Sequence, residues 1–129
     1  MGTWGYNAFQ NDEAGDWQDT LKQAGYRSIE SAFDAVLGND GYLEAPECQS
    51  AIAAAETLCV VLGRPGEFVP DEVRKWASEQ NIPTPELVST AKKCLERILA
   101  GSELKELWDE SPKANIWESS VLDTVRRLN

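Results

Sequence analysis

Hydrophobic residues recur along this chain every three or four positions, and no stretch alternates apolar and polar residues as a half-buried strand does. From Asn11 or Asp12 to about Ala24 the pattern puts Trp17, Leu21 and Ala24 on one helical stripe. Asp12, Glu13 and Asp16 favour the positive N-terminal end of that helix, and Gly25 stops it. A shorter helix is predicted from an N-cap at Ser28 through Leu37, burying Ile29, Ala32, Phe33, Val36 and Leu37. Gly38-Asn39-Asp40-Gly41 has the composition of a turn.

The strongest pattern runs from Ala45 to Leu62. Pro46 is preformed for a first helical turn, Glu47 favours that end, and Gly63 ends the helix. Cys48, Ala51, Ile52, Ala55, Leu58, Cys59 and Leu62 form its apolar stripe, and the many alanines let neighbours approach closely, so this helix belongs at the centre. After a loop at Arg64-Pro65-Gly66, a short helix from about Asp71 to Glu79 carries Val73, Trp76 and Ala77. Thr84 caps and Pro85 opens a helix to Ala100, with Leu87, Val88, Ala91, Cys94, Leu95, Ile98 and Leu99 inward. Ser102 caps the next, which holds Leu104, Leu107 and Trp108. Beyond Pro112, Asn115 and Glu118 have capping-box spacing before a last helix, Ile116 to Leu128, that buries Trp117, Val121, Leu122, Val125 and Leu128.

About seven helices joined by short connections predict an all-α protein, an irregular multi-helix bundle forming a single helical domain over residues 1–129. Gly2 to Gln10, with Trp4, Tyr6 and Phe9, reads as a Gly- and aromatic-rich N-terminal arm laid on the bundle, Trp4 pinning it. The length suits one core, and a 42% hydrophobic fraction with five Trp supplies the material for it. The apolar run from Ala51 to Leu62 is interrupted by Glu56 and Thr57 and falls short of the roughly 18 residues of a membrane span. The N-terminus lacks a basic start and an apolar core, and Tyr6 stands where myristoylation requires Ser or Thr, so a cytoplasmic location is expected.

Composition then removes most chemistry. The chain has no His, which eliminates His-based acid–base catalysis, Ser-His-Asp and Cys-His systems and most zinc sites. Cys48, Cys59 and Cys94 sit among apolar neighbours with no CxxC and read as free core thiols. Gly63-Arg64-Pro65-Gly66 lacks the Lys and Ser/Thr of a phosphate loop, and Ser119-Ser120 has no nucleophile-elbow context. Set on a calcium loop, Asp40, Gly41, Leu43, Glu44 and Glu47 fit positions 5, 6, 8, 9 and 12, but Val36 and Gly38 replace two carboxylate ligands and Pro46 intervenes. A turn before a helix start accounts for the segment, and no metal, cofactor or catalytic residue is expected.

Charge is what remains. Residues 1–56 hold ten carboxylates against Lys22 and Arg27, a net of −8, whereas residues 57–129 carry a net of −2. Such a field repels nucleic acid and anionic lipid and attracts basic protein surfaces, although it also keeps a protein soluble. The candidate partner-binding residues are Asp12, Glu13, Asp16, Asp19, Asp34, Asp40, Glu44 and Glu47, with Asp12, Asp16 and Asp19 on one helix face.

The opening Met1-Gly2-Thr3-Trp4-Gly5, the segment Phe9-x-Asn11-Asp12-x-Ala14-x-Asp16-Trp17, and Asp40-Gly41-Tyr42-Leu43-Glu44-Ala45-Pro46-Glu47 ahead of the Ala-rich helix resemble the bacterial domain-of-unknown-function family number 4259. The resemblance covers residues 1–62, with Leu107-Trp108-Asp109 a looser match, and implies a bacterial cytoplasmic protein without an assigned activity. Small size, an acidic N-terminal half and missing catalytic groups favour an immunity- or antitoxin-type inhibitor of a basic toxin domain. A regulatory or assembly interaction module is the alternative, and a carboxylate- or metal-dependent enzyme the third reading.

Overall fold

The computed structural model describes residues 5–129, so the role expected of Trp4 lies outside the described residues. Seven helices follow one another: α1 (Asp12–Ala24), α2 (Tyr26–Leu37), α3 (Ala45–Val61), α4 (Asp71–Ser78), α5 (Pro85–Ala100), α6 (Glu103–Asp109) and α7 (Ala114–Leu128), with no strand among the described residues. The architecture is all-α.

The centre is α3, which touches each of the other six helices. Its expected stripe is buried except for Leu62, which is half-buried at the C-cap, and every residue from Ala51 to Cys59 is buried too, all the way round the helix. Five alanines between positions 45 and 55 keep its girth small, so neighbouring backbones close on it from all sides. This burial traps two polar side chains. Thr57 donates its hydroxyl to the Ala53 carbonyl at 2.8 Å, and Glu56 needs a partner from elsewhere. One cluster of buried side chains joins Phe9, Leu21, Ile29, Phe33, Leu58, Val73, Leu95, Leu104 and Val121, drawing on the arm and all seven helices.

Caps fix the helix starts. Asn11 accepts from the Ala14 N–H at 2.8 Å, Thr84 from Leu87 at 3.2 Å and Ser102 from Lys105 at 3.1 Å, as their positions in the sequence lead one to expect. Two expected caps are not used. Helix α2 begins at Tyr26, directly beyond Gly25, and the Ser28 hydroxyl instead donates to the Gly25 carbonyl at 2.6 Å. Gly25 has φ +59°, a left-handed conformation open to glycine, and this lets α1 turn into α2 without a loop. Helix α7 begins at Ala114 with no side-chain cap, so Asn115 lies inside its first turn and the expected capping box is absent.

The predicted stripes also overran at their edges. Ala24, Leu37, Leu107 and Leu122 are exposed; each lies at the margin of its helix's buried arc, where no neighbouring helix covers it. Trp17 and Trp117 are buried, while Trp76 and Trp108 are half-buried against the core. Trp108 stacks on Trp117 with ring centroids 6.1 Å apart, and Tyr26 meets Trp76 edge-on at 5.4 Å. Phe9 anchors the arm in the core at 2% exposure. Among the described residues no helix is long and apolar enough to cross a membrane.

Candidate protein-binding face

Four of the eight candidate carboxylates, Asp12, Glu13, Asp16 and Asp19, lie on α1, and Asp34 lies on α2. Asp40 and Glu44 flank the turn that leads into α3, and Glu47 belongs to the first turn of α3. That turn is built by Asn39, whose Oδ1 accepts from the Gly41 N–H at 2.8 Å while its amide donates to the Tyr42 carbonyl. Helices α1, α2 and α3, which carry or adjoin these carboxylates, pack against one another. Asp12, Asp16, Asp19, Asp34, Asp40 and Glu44 are exposed, whereas Glu13 and Glu47 are half-buried.

Glu13 and Glu47 meet in a common depression. A groove of about 270 Å³ runs between α1, α2 and the start of α3, and these two line it, with Trp17, Ala32, Ala35 and Pro46 among its apolar residues. The Glu47 Oε2 atom is shut off from solvent and has no hydrogen-bond partner. The other six candidates lie outside this groove.

None of the eight takes part in any of the five ion pairs among the described residues. Lys22, three residues beyond Asp19, feels that carboxylate's field but places its ammonium on Glu72 of α4 at 2.8 Å.

The sequence reading missed the polar centre on the opposite side of α3. Arg127 on α7 grips Glu56 with two parallel bonds, Nη1 to Oε2 at 2.7 Å and Nη2 to Oε1 at 2.6 Å. Its Nε donates to Asp123 one turn back at 2.8 Å, and Nη1 also reaches the Arg64 carbonyl. Arg64 in return donates to the carbonyls of Arg127 and Asn129, both at 2.9 Å, satisfying the C-terminal end of α7. Gly66 lies against this pair, and a Cβ there would fall 2.8 Å from Glu56 Oε1. The Arg127 bond holds the Asp123 carboxyl below the usual carboxylate range, and the Glu56 bond raises the Arg127 proton affinity further. A charged residue inside the apolar run of α3 was the available signal, because a charge buried at that position demands an opposite one. Beside the pair a second groove, of about 350 Å³, is walled by the half-exposed apolar side chains Phe68 and Ile116.

Burial pushes the Cys48 thiol up to about 11 and those of Cys59 and Cys94 to about 12. All three are free and buried, as expected of core thiols. Tyr42 is raised to about 12 by its hydrogen bond to Glu106.

The described residues form an all-helical fold in which Glu56 and Asp123 are paired with Arg127 between α3 and α7. A family model described as a domain of unknown function (DUF4259) matches residues 2–120. The chain belongs to that family, as the opening motif and the Asp40–Glu47 segment indicated. No curated protein and no solved structure gives a match.

Proposed function

We propose that this chain is a binding protein, not an enzyme, and that its open carboxylate face receives a basic surface of another protein. The observation that carries the reading is that none of the eight carboxylates has an ion-pair partner among the described residues. A partner surface of opposite sign supplies what the chain itself withholds, and long-range attraction speeds its approach. Within that class the specific reading is an immunity- or antitoxin-type inhibitor covering the cationic site of a toxin domain. The absence of His from the whole chain and the buried, high-pKa thiols support binding over nucleophilic or acid–base catalysis.

The test is affinity capture from the native host at about 50 mM and 500 mM salt, across which the Debye length shrinks from more than 10 Å toward 3 Å. A basic protein should be retained at low salt, be lost at high salt, and fail to bind when the eight carboxylates are changed to amides. Recovery of the same proteins with the amide variant sinks the reading. Protection of cells against the captured partner by this chain tests the inhibitor assignment specifically.

A regulatory or assembly module is favoured by one other observation, the pair of exposed apolar side chains Phe68 and Ile116 beside the second groove. Capture through that groove would persist at high salt and be lost in Phe68→Ser.

A further inference from the structure

We infer that the groove between α1, α2 and α3 is a socket for one arginine side chain of the basic partner. This inference rests on the reading of the eight carboxylates as a protein-binding face. Three features of the groove point to that occupant. Its volume, about 270 Å³, lies below the roughly 300–1,000 Å³ of clefts that hold drug-sized ligands, which suits a side chain. Its walls are mostly apolar and small: Ala32 and Ala35 on α2, Trp17 on α1 and Pro46 on α3 offer a path for an aliphatic stem, and the indole adds attraction for a cation. Its charged groups are two carboxylates on different helices, Glu13 on α1 and Glu47 on α3.

The two carboxylates differ in a way that bears on the ligand. Glu47 Oε2 is closed to solvent, so a ligand in the groove does not reach that oxygen, whereas no oxygen of Glu13 is closed off without a partner. A guanidinium has five N–H groups in a planar fork and can face carboxylates on two sides at once, whereas an ammonium is a compact, strongly hydrated point charge. Arginine is therefore preferred to lysine. Trp17, whose indole N–H points to the Ser28 carbonyl at 3.4 Å, provides a reporter in the groove wall.

The test uses the full chain with tetra-arginine and tetra-lysine peptide amides, titrated at about 0.15 M salt and followed by nuclear magnetic resonance through the Trp17 indole resonance, assigned with Trp17→Phe. Two groups of variants separate the socket from the general acidic face. Ala35→Leu fills the groove without changing charge, on an exposed position of α2 where leucine is a good helix former. Asp34→Asn with Asp40→Asn removes two charges that do not line the groove. The socket predicts at least a ten-fold weakening in Ala35→Leu, about two-fold or less in the double amide variant, and tighter binding of tetra-arginine than tetra-lysine. Glu47→Gln should weaken binding as Ala35→Leu does, with a thermal melt confirming its fold. If Ala35→Leu binds as well as the parent while the double amide variant weakens, the socket is wrong and the acidic face stands. If neither group changes binding and salt does not weaken it, both readings fall.

Discussion

On α1, Asp12, Asp16 and Asp19 are exposed and in no ion pair among the described residues, while on α3 and α7 Glu56 and Asp123 are both held by the Arg127 guanidinium, with Arg126 a second partner of Asp123. The chain thus treats carboxylates in two opposite ways. At the seam, a charge had to be paired because α3 is buried on every side, and an unpaired carboxylate there would cost several kcal/mol. Asp12, Asp16, Asp19, Asp34, Asp40 and Glu44 are exposed and solvated by water, so folding does not require a partner for them. Burial imposes the pairing of Glu56, although exposed pairs such as Lys22–Glu72 form as well.

The sharpest way to break this comparison is to cut the seam. Arg127→Met leaves Glu56 buried and charged, and urea unfolding should show a loss of about 3–5 kcal/mol. Glu56→Leu combined with Arg127→Met should recover a large part of that loss, since an apolar pair of similar bulk restores packing without desolvating a charge. Gly66→Ala tests the same site from the loop side and should also destabilise, because its Cβ would press on the pinned Glu56 carboxylate. If Arg127→Met unfolds like the parent, burial does not govern pairing here.

The buried thiols extend the test to alkaline pH. Their pKa values, about 11 for Cys48 and about 12 for Cys59 and Cys94, lie above the ordinary value near 9. Between those limits the unfolded chain loses thiol protons that the folded chain keeps, so stability should fall as pH rises past about 9 and continue falling through the folded values. A thiol-specific disulfide reagent at pH 8 should find no reactive cysteine in the native protein and three in guanidinium chloride. A rapid native reaction would show the core to be more open than the packing indicates.

Much of this fold was written in the spacing of apolar residues, and the exceptions have local causes. The helix around Ala45–Val61 was legible because proline, alanine and glycine mark its start, girth and end in turn. The start of α2 was not, because Ser28 has the chemistry of a cap and only the left-handed Gly25 shows that the helix has already begun. Asn115 misled for a similar reason: capping-box spacing is a local pattern, and α7 starts two residues earlier than expected, at Ala114, without using it. The acidic face was visible as composition, since exposure needs no partner and leaves its record in the charge count. The Glu56–Arg127 pair was hidden because its members lie 71 positions apart and only the packing of α7 on α3 brings them together. The groove shared by Glu13 and Glu47 was hidden in the same way, since no spacing within one helix reports on the gap between three.

A smaller effect is expected where the seam reaches solvent. The Asp123 side chain is 49% exposed, so Asp123→Asn should cost under about 1 kcal/mol by urea unfolding, far less than the loss of Arg127. Arg127 lowers the Asp123 pKa in the folded state, so this contribution is present above the ordinary Asp range and disappears as pH falls through the lower folded value. The parent should therefore lose its advantage over Asp123→Asn at acid pH, and an advantage that persists there would rule out the ionic origin.

The least effect on folding is expected at the carboxylates of α1 and α2, and that is where the comparison is most exposed to refutation. Changing Asp12, Asp16, Asp19 and Asp34 to Asn removes four negative charges from a segment carrying −8, and none of the four is in an ion pair among the described residues. Relief of mutual repulsion favours the variant, whereas loss of the favourable Asp12 charge in the first turn of α1 opposes it by about 0.3–1 kcal/mol. These contributions are of similar size and opposite sign, so net stability should move by less than about 1 kcal/mol. Salt separates the two. Raising it to about 0.5 M should raise the parent's Tm by screening the repulsion, and should do so less in the variant. A large destabilisation of the variant would mean that the open carboxylates hold the fold after all, and the division between a structural seam and a free binding face would be lost.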